Sequence, residues 1–96
     1  MDNKPKAVFF DRDGVLNNLV KRDESYYSPQ KFEDFHIVAG AKEVVDGVHK
    51  MGYLTIVISN QPDITRGKLK QSELDKMTQL LIDEIKVDDI FYCTHD

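Results

Sequence analysis

An apolar stretch, Lys6-Ala7-Val8-Phe9-Phe10, runs directly into Asp11-Arg12-Asp13-Gly14-Val15-Leu16, so two carboxylates one residue apart stand where a buried strand ends. In an extended chain residues two apart point the same way, which predicts that Asp11 and Asp13 face one ligand at the sheet edge. Like charges that close need a counter-charge. A divalent magnesium ion, a hard cation that takes oxygen ligands, would let both acids share one point and would screen an incoming phosphate from them. Gly14 gives the backbone freedom to turn sharply beside that centre. Phosphoryl transfer to an aspartate is the chemistry such a pair offers, and the same Asp-x-Asp-Gly pattern also occurs in calcium loops and polar turns.

A second group lies further along. Tyr53-Leu54-Thr55-Ile56-Val57-Ile58 is an unbroken apolar run rich in β-branched residues, which predicts a parallel strand covered on both faces, and it ends in Ser59-Asn60-Gln61. A short hydroxyl and the neighbouring amides can approach phosphate oxygens without adding negative charge. Ser-Asn is also ordinary turn chemistry. The separation from Asp11, one strand-helix-strand crossover, favours the ligand-binding reading of Ser59.

These residues need a frame. The first strand is expected over residues 6 to 10, followed by a long polar segment from Asn17 to Asp34 that carries Tyr26-Tyr27-Ser28-Pro29. Ala41, Val44, Val45, Val48 and Met51 recur at helical spacing up to Gly52, a C-terminal stop. A loop with Pro62, Asp63, Arg66 and Gly67 precedes a second helix, read from Leu74, Met77, Leu81 and Ile85 on one face. Asp89-Ile90-Phe91-Tyr92 makes a short third strand before Cys93-Thr94-His95-Asp96. Strand, helix, strand, helix, strand predicts an α/β fold with a Rossmann-like parallel sheet, whose ligands collect at the carboxyl ends of the strands. Those ends are Asp11, Ser59 and Cys93.

Bulk properties narrow the class. A length of 96 residues, with 41% hydrophobic and 31% charged, is that of one ordinary globular domain, read as residues 1–96. A net charge of -4 argues against nucleic-acid binding through a broad basic face. No apolar run is long enough to cross a bilayer and no signal-peptide core adjoins the N-terminus, so a cytoplasmic location with no membrane partner is expected. The single cysteine, Cys93, has no partner for an internal disulfide.

The stretch from Phe9 to Asn17 resembles the first motif of the haloacid dehalogenase superfamily of phosphatases, and more narrowly that of its heptose bisphosphate phosphatase and histidinol-phosphatase branch. Ser59-Asn60-Gln61 resembles the second motif of that superfamily, with Arg66-Gly67 matching a later Arg-Gly of the branch, and Cys93-Thr94-His95 resembles its Cys-x-His. The resemblance implies that Asp11 is the nucleophile, forming an aspartyl-phosphate, and that Asp13 is the general acid and base. It further implies that Ser59, Asn60, Gln61 and Arg66 contact phosphate or substrate, and that Asp11 and Asp13 bind Mg2+. Cys93 and His95 would supply half of a structural zinc site. Pro62-Asp63 departs from the pattern and places a negative charge near the phosphate loop. His36 and His49 are read as surface or packing residues.

The likeness extends over the first half of a family member. The lysine and the acidic strand end that complete such a site are not assignable: Lys68, Lys70 and Lys86 fall at the wrong points, and Asp88-Asp89 precedes a strand. A truncated, nearly inactive chain with an open edge at its first strand is therefore expected, forming a dimer or joining a missing C-terminal half. The implied activity is hydrolysis of a sugar phosphate, a heptose bisphosphate or histidinol phosphate. The rivals are a noncatalytic fragment or interaction module of the same fold, and a phosphorylatable receiver, whose acceptor aspartate belongs where Cys93 stands.

Overall fold

The computed structural model describes residues 6–95. β1 (Lys6–Asp11), β4 (Tyr53–Asn60) and β5 (Asp89–Cys93) form a parallel sheet in the order β1-β4-β5, joined by α1 (Ala41–Lys50) and α2 (Gln71–Leu80). This is the expected α/β architecture. α2 continues into a wider π-helical turn, Leu81–Ile85, and Lys86 closes it in the left-handed conformation. The polar segment after Asn17 holds a small antiparallel hairpin, β2 (Val20–Arg22) with β3 (Ser25–Tyr27), and then a 3-10 turn at Phe32–Asp34.

Alternation along β4 sorts the sheet into two faces. Thr55, Val57 and Ser59 are buried, whereas Leu54, Ile58 and Asn60 are exposed. Val57 meets Val45 of α1 and the stripe Leu74, Met77, Leu81 and Ile85 in one core, closed by Leu16 and Phe35 from the loops. Both helices thus serve a single face of the sheet. The expectation of a strand covered on both sides is corrected: Ile58 keeps 47% of its surface, and Phe9 and Phe91 on the same face keep 61% and 55%, because no other element among the described residues lies over them. Among the described residues, β1 is hydrogen-bonded along one side only, by β4.

The α2 stripe is buried as its spacing requires. In α1, Ala41 and Val45 are buried but Val44 and Met51 are not. Val44 instead lines an apolar groove with Phe10, Val15 and Val38. Gly52 adopts φ 86, the left-handed geometry that ends a helix without a Cβ clash. No helix among the described residues is long and apolar enough to cross a membrane.

Candidate active site

The chain leaves the extended conformation straight after Asp11. Arg12 O accepts from the amides of Leu16 and Asn17 at 2.8 and 3.2 Å, Gly14 N donates to Asn17 O at 2.8 Å, and Gly14 sits at φ 84. Asp11, the last residue of β1, is paired with Ile58 and shares its outer face, while Asp13 rides on the tight loop that follows. The period-two expectation for the two acids therefore stops at Asp11, since it holds only where the backbone stays extended.

Asp13 is the hub of a hydrogen-bond network. Its Oδ1 accepts from Arg12 Nε at 3.1 Å, Arg12 Nη2 at 2.7 Å and Asn17 Nδ2 at 2.9 Å. Its Oδ2 accepts from Ser28 Oγ at 3.0 Å and Gln61 Nε2 at 2.6 Å. Gln61 Nε2 also donates to Ser59 Oγ at 2.7 Å, so the first acidic loop and the hydroxyl at the end of β4 are bridged by one amide. Gln61 is itself anchored where β5 ends, its backbone amide donating to Cys93 O at 2.6 Å. Ser59 and Gln61 are buried, so the amide lies between the hydroxyl and the acid.

Asp11 is exposed and makes no side-chain hydrogen bond or ion pair among the described residues. A free carboxylate at a strand end is a hard oxygen ligand, the kind magnesium takes. Asn17 Oδ1, buried without a partner among the described residues, is a second unengaged oxygen beside Asp13. The carboxylate of Asp13, by contrast, is already occupied by five donors.

Beyond the network lies a cleft of ≈ 260 Å³ whose lining includes Tyr27, Ser28, Gln61, Asp63 and Arg66. The charge of Asp63 is met locally: Arg66 Nη1 lies 3.5 Å from Asp63 Oδ1, and Gln30 Nε2 donates to Oδ2 at 3.0 Å. Asn60 is exposed and registers with Cys93. Cys93 is an exposed free thiol, His95 is exposed, and no group of three or more His, Cys, Asp or Glu able to hold a metal occurs among the described residues.

Arg12, Asn17 and Ser28 join the network without a sequence signal strong enough to single them out. Arg12 had the position between two acids; Ser28 had only its turn before Pro29.

The chain shares its fold with solved phosphatase structures, among them a putative had-like phosphatase from Mesorhizobium loti, at TM-score 0.76 and 22% identity over 96% of this chain and 44% of the other. Over 95% of this chain and 51% of the other, it superposes with TM-score 0.79 and 21% identity on D,D-heptose 1,7-bisphosphate phosphatase from B. bronchiseptica, solved with magnesium and phosphate. No protein-family model matches the chain. In sequence the chain is similar to heptose-1,7-bisphosphate 7-phosphatases. The D-glycero-beta-D-manno-heptose-1,7-bisphosphate 7-phosphatase of Vibrio cholerae is 34% identical over 93% of this chain and 47% of its own length. The D-glycero-alpha-D-manno-heptose-1,7-bisphosphate 7-phosphatase of Campylobacter jejuni is 36% identical over 96% and 53%. The chain spans about half the length of these relatives.

Proposed function

We propose that this chain carries the nucleophile and the acid-base residue of a magnesium-dependent phosphomonoester hydrolase acting on a sugar phosphate of the heptose bisphosphate kind. The observation that carries the reading is the bridge from Asp13 through Gln61 to Ser59, which ties the acidic loop to the hydroxyl of the neighbouring strand. The names of the relatives support the substrate class, and they divide between the two anomers, so the anomer stays open.

In this reading an oxygen of Asp11 attacks phosphorus, the bond from phosphorus to the sugar oxygen breaks, and Asp13 delivers its proton to that oxygen. Asp13 then takes a proton from water as the water oxygen attacks phosphorus; the bond from Asp11 to phosphorus breaks and phosphate leaves. Ser59 and Asn60 hold phosphoryl oxygens, Gln61 sets the distance between Ser59 and Asp13, and Arg66 faces the body of the substrate across the cleft. Magnesium fits the unengaged carboxylate of Asp11, and when bound it supplies positive charge to offset that of the transferring oxygens. Cys93 and His95 remain candidates for a zinc half-site on resemblance alone.

A noncatalytic interaction module of the same fold is the second reading, favoured by the exposed apolar side chains Phe9, Leu54, Ile58 and Phe91. A phosphate-release screen over both heptose bisphosphate anomers and histidinol phosphate, using the complete reading frame, tests the proposal. Release from a heptose bisphosphate that Asp11→Asn abolishes is the expected result; wild-type release by that variant would remove Asp11 as nucleophile.

A further inference from the structure

We propose that Arg12 is a positioning residue for Asp13, holding its carboxylate in one orientation with Oδ2 turned to the Ser28 and Gln61 side. The inference rests on the phosphatase reading and goes beyond it. An arginine between two acids at a strand end has solvent within easy reach, yet Arg12 is 0% exposed. A buried guanidinium is tolerated only where its charge and its donors are matched. Its carboxylate partner is Asp13, with Nη2 2.7 Å from Oδ1.

The far side of the guanidinium is walled by three other elements. Nη1 donates to Met77 Sδ of α2 at 3.5 Å, and Cζ lies 5.2 Å from the ring centre of Phe35 and 5.8 Å from that of Tyr92 in β5. A fork held by aromatic faces and a thioether has little room to swing, so the carboxylate it grips is held as well.

The grip is asymmetric. Oδ1 faces Arg12 Nε, Arg12 Nη2 and Asn17 Nδ2, three nitrogens that only donate, two of them on the fixed guanidinium. Oδ2 faces the hydroxyl of Ser28, which can reverse and accept, as well as Gln61 Nε2. Oδ2 is thereby the oxygen held on the side of the Ser28 and Gln61 cleft. Arg12 sets this asymmetry while touching neither substrate nor phosphorus.

A mere core plug would make the same contacts, so the test must read proton delivery. Benzyl phosphate and p-nitrophenyl phosphate are similar in shape, but benzyl alkoxide needs a proton to leave and nitrophenolate does not. The ratio of their kcat/KM values, which covers steps through departure of the leaving group, isolates the acid. With the complete protein, Arg12→Lys is expected to lower kcat/KM for benzyl phosphate on the order of 100-fold and for p-nitrophenyl phosphate less than about tenfold. Phe35→Leu, which keeps Arg12 but removes one wall, should show the same bias at smaller amplitude and guards against misfolding of the first variant. Equal losses on both esters in both variants would make Arg12 structural and overturn the proposal. A wild-type protein hydrolysing neither ester nor any sugar bisphosphate would overturn the phosphatase reading first, and the role of Arg12 with it.

Discussion

Asp88 joins two elements at the end of the sheet opposite the candidate site. Its Oδ2 accepts from Thr55 N at 2.7 Å and from Thr55 Oγ1 at 3.2 Å, and it lies 2.9 Å from His49 Nε2. His49, expected to be a surface or packing residue, in fact ties α1 to this cluster. The backbone amide of Thr55 is the main cause holding the Asp88 carboxyl below its ordinary value of 3.8, with His49 and the Thr55 hydroxyl adding to it against the cost of burial. A depressed folded value means that the stabilisation is present above the unfolded value and is lost as pH falls through the folded one. Asp88→Asn should cost about 0.5–1 kcal/mol near neutral pH, kept small because the side chain is partly exposed. In urea unfolding the gap between wild type and Asp88→Asn should close as pH drops below the ordinary aspartate range. A gap of unchanged size in acid would show that the charge of Asp88 contributes nothing.

At the scale of elements, the two helices separate what periodicity reveals from what it cannot. Leu74, Met77, Leu81 and Ile85 have at most 2% exposure, and their spacing alone identified them. Val44 and Met51 fit a helical stripe equally well but lie outside the core, because which part of a stripe is covered depends on the neighbouring strands. Leu81→Ala should therefore cost about 2–5 kcal/mol in urea unfolding, and Val44→Ala less than about 1. Comparable losses at the two positions would contradict the packing. The β2–β3 hairpin was not foreseen: its two-residue turn, Asp23-Glu24, lacks glycine and places Asp23 at φ 55, which an aspartate tolerates. Asp13, Ser59 and Gln61 were legible because each follows an apolar strand. Arg12, Asn17 and Ser28 were not, since their roles arise from a loop that turns back on itself and from a hairpin that carries Ser28 to Asp13. Gly14 makes that turn at φ 84, where an added Cβ would meet only Leu19, at 3.8 Å, so backbone strain is the penalty. Gly14→Ala should cost about 1–2 kcal/mol and weaken any turnover that depends on Asp13, measured by unfolding and by phosphate release.

For the molecule as a whole, the uneven covering of the sheet governs behaviour in solution. One face is packed by both helices; the other presents Phe9, Leu54, Ile58 and Phe91, and among the described residues β1 has no partner along its outer side. Contiguous apolar surface bounded by an open strand favours association, and a net charge of -4 opposes it only weakly. We propose that this face joins either a second copy or the remaining length that the relatives possess. The free chain should then sediment with a mass that rises with concentration. Threonine suits a strand and removes apolar area at both Ile58 and Phe91, so the double variant should remain folded and sediment as a monomer. Wild-type chain that stays monomeric across the accessible concentrations would show that the bare face is tolerated in water, and the proposal of a partner there would fail.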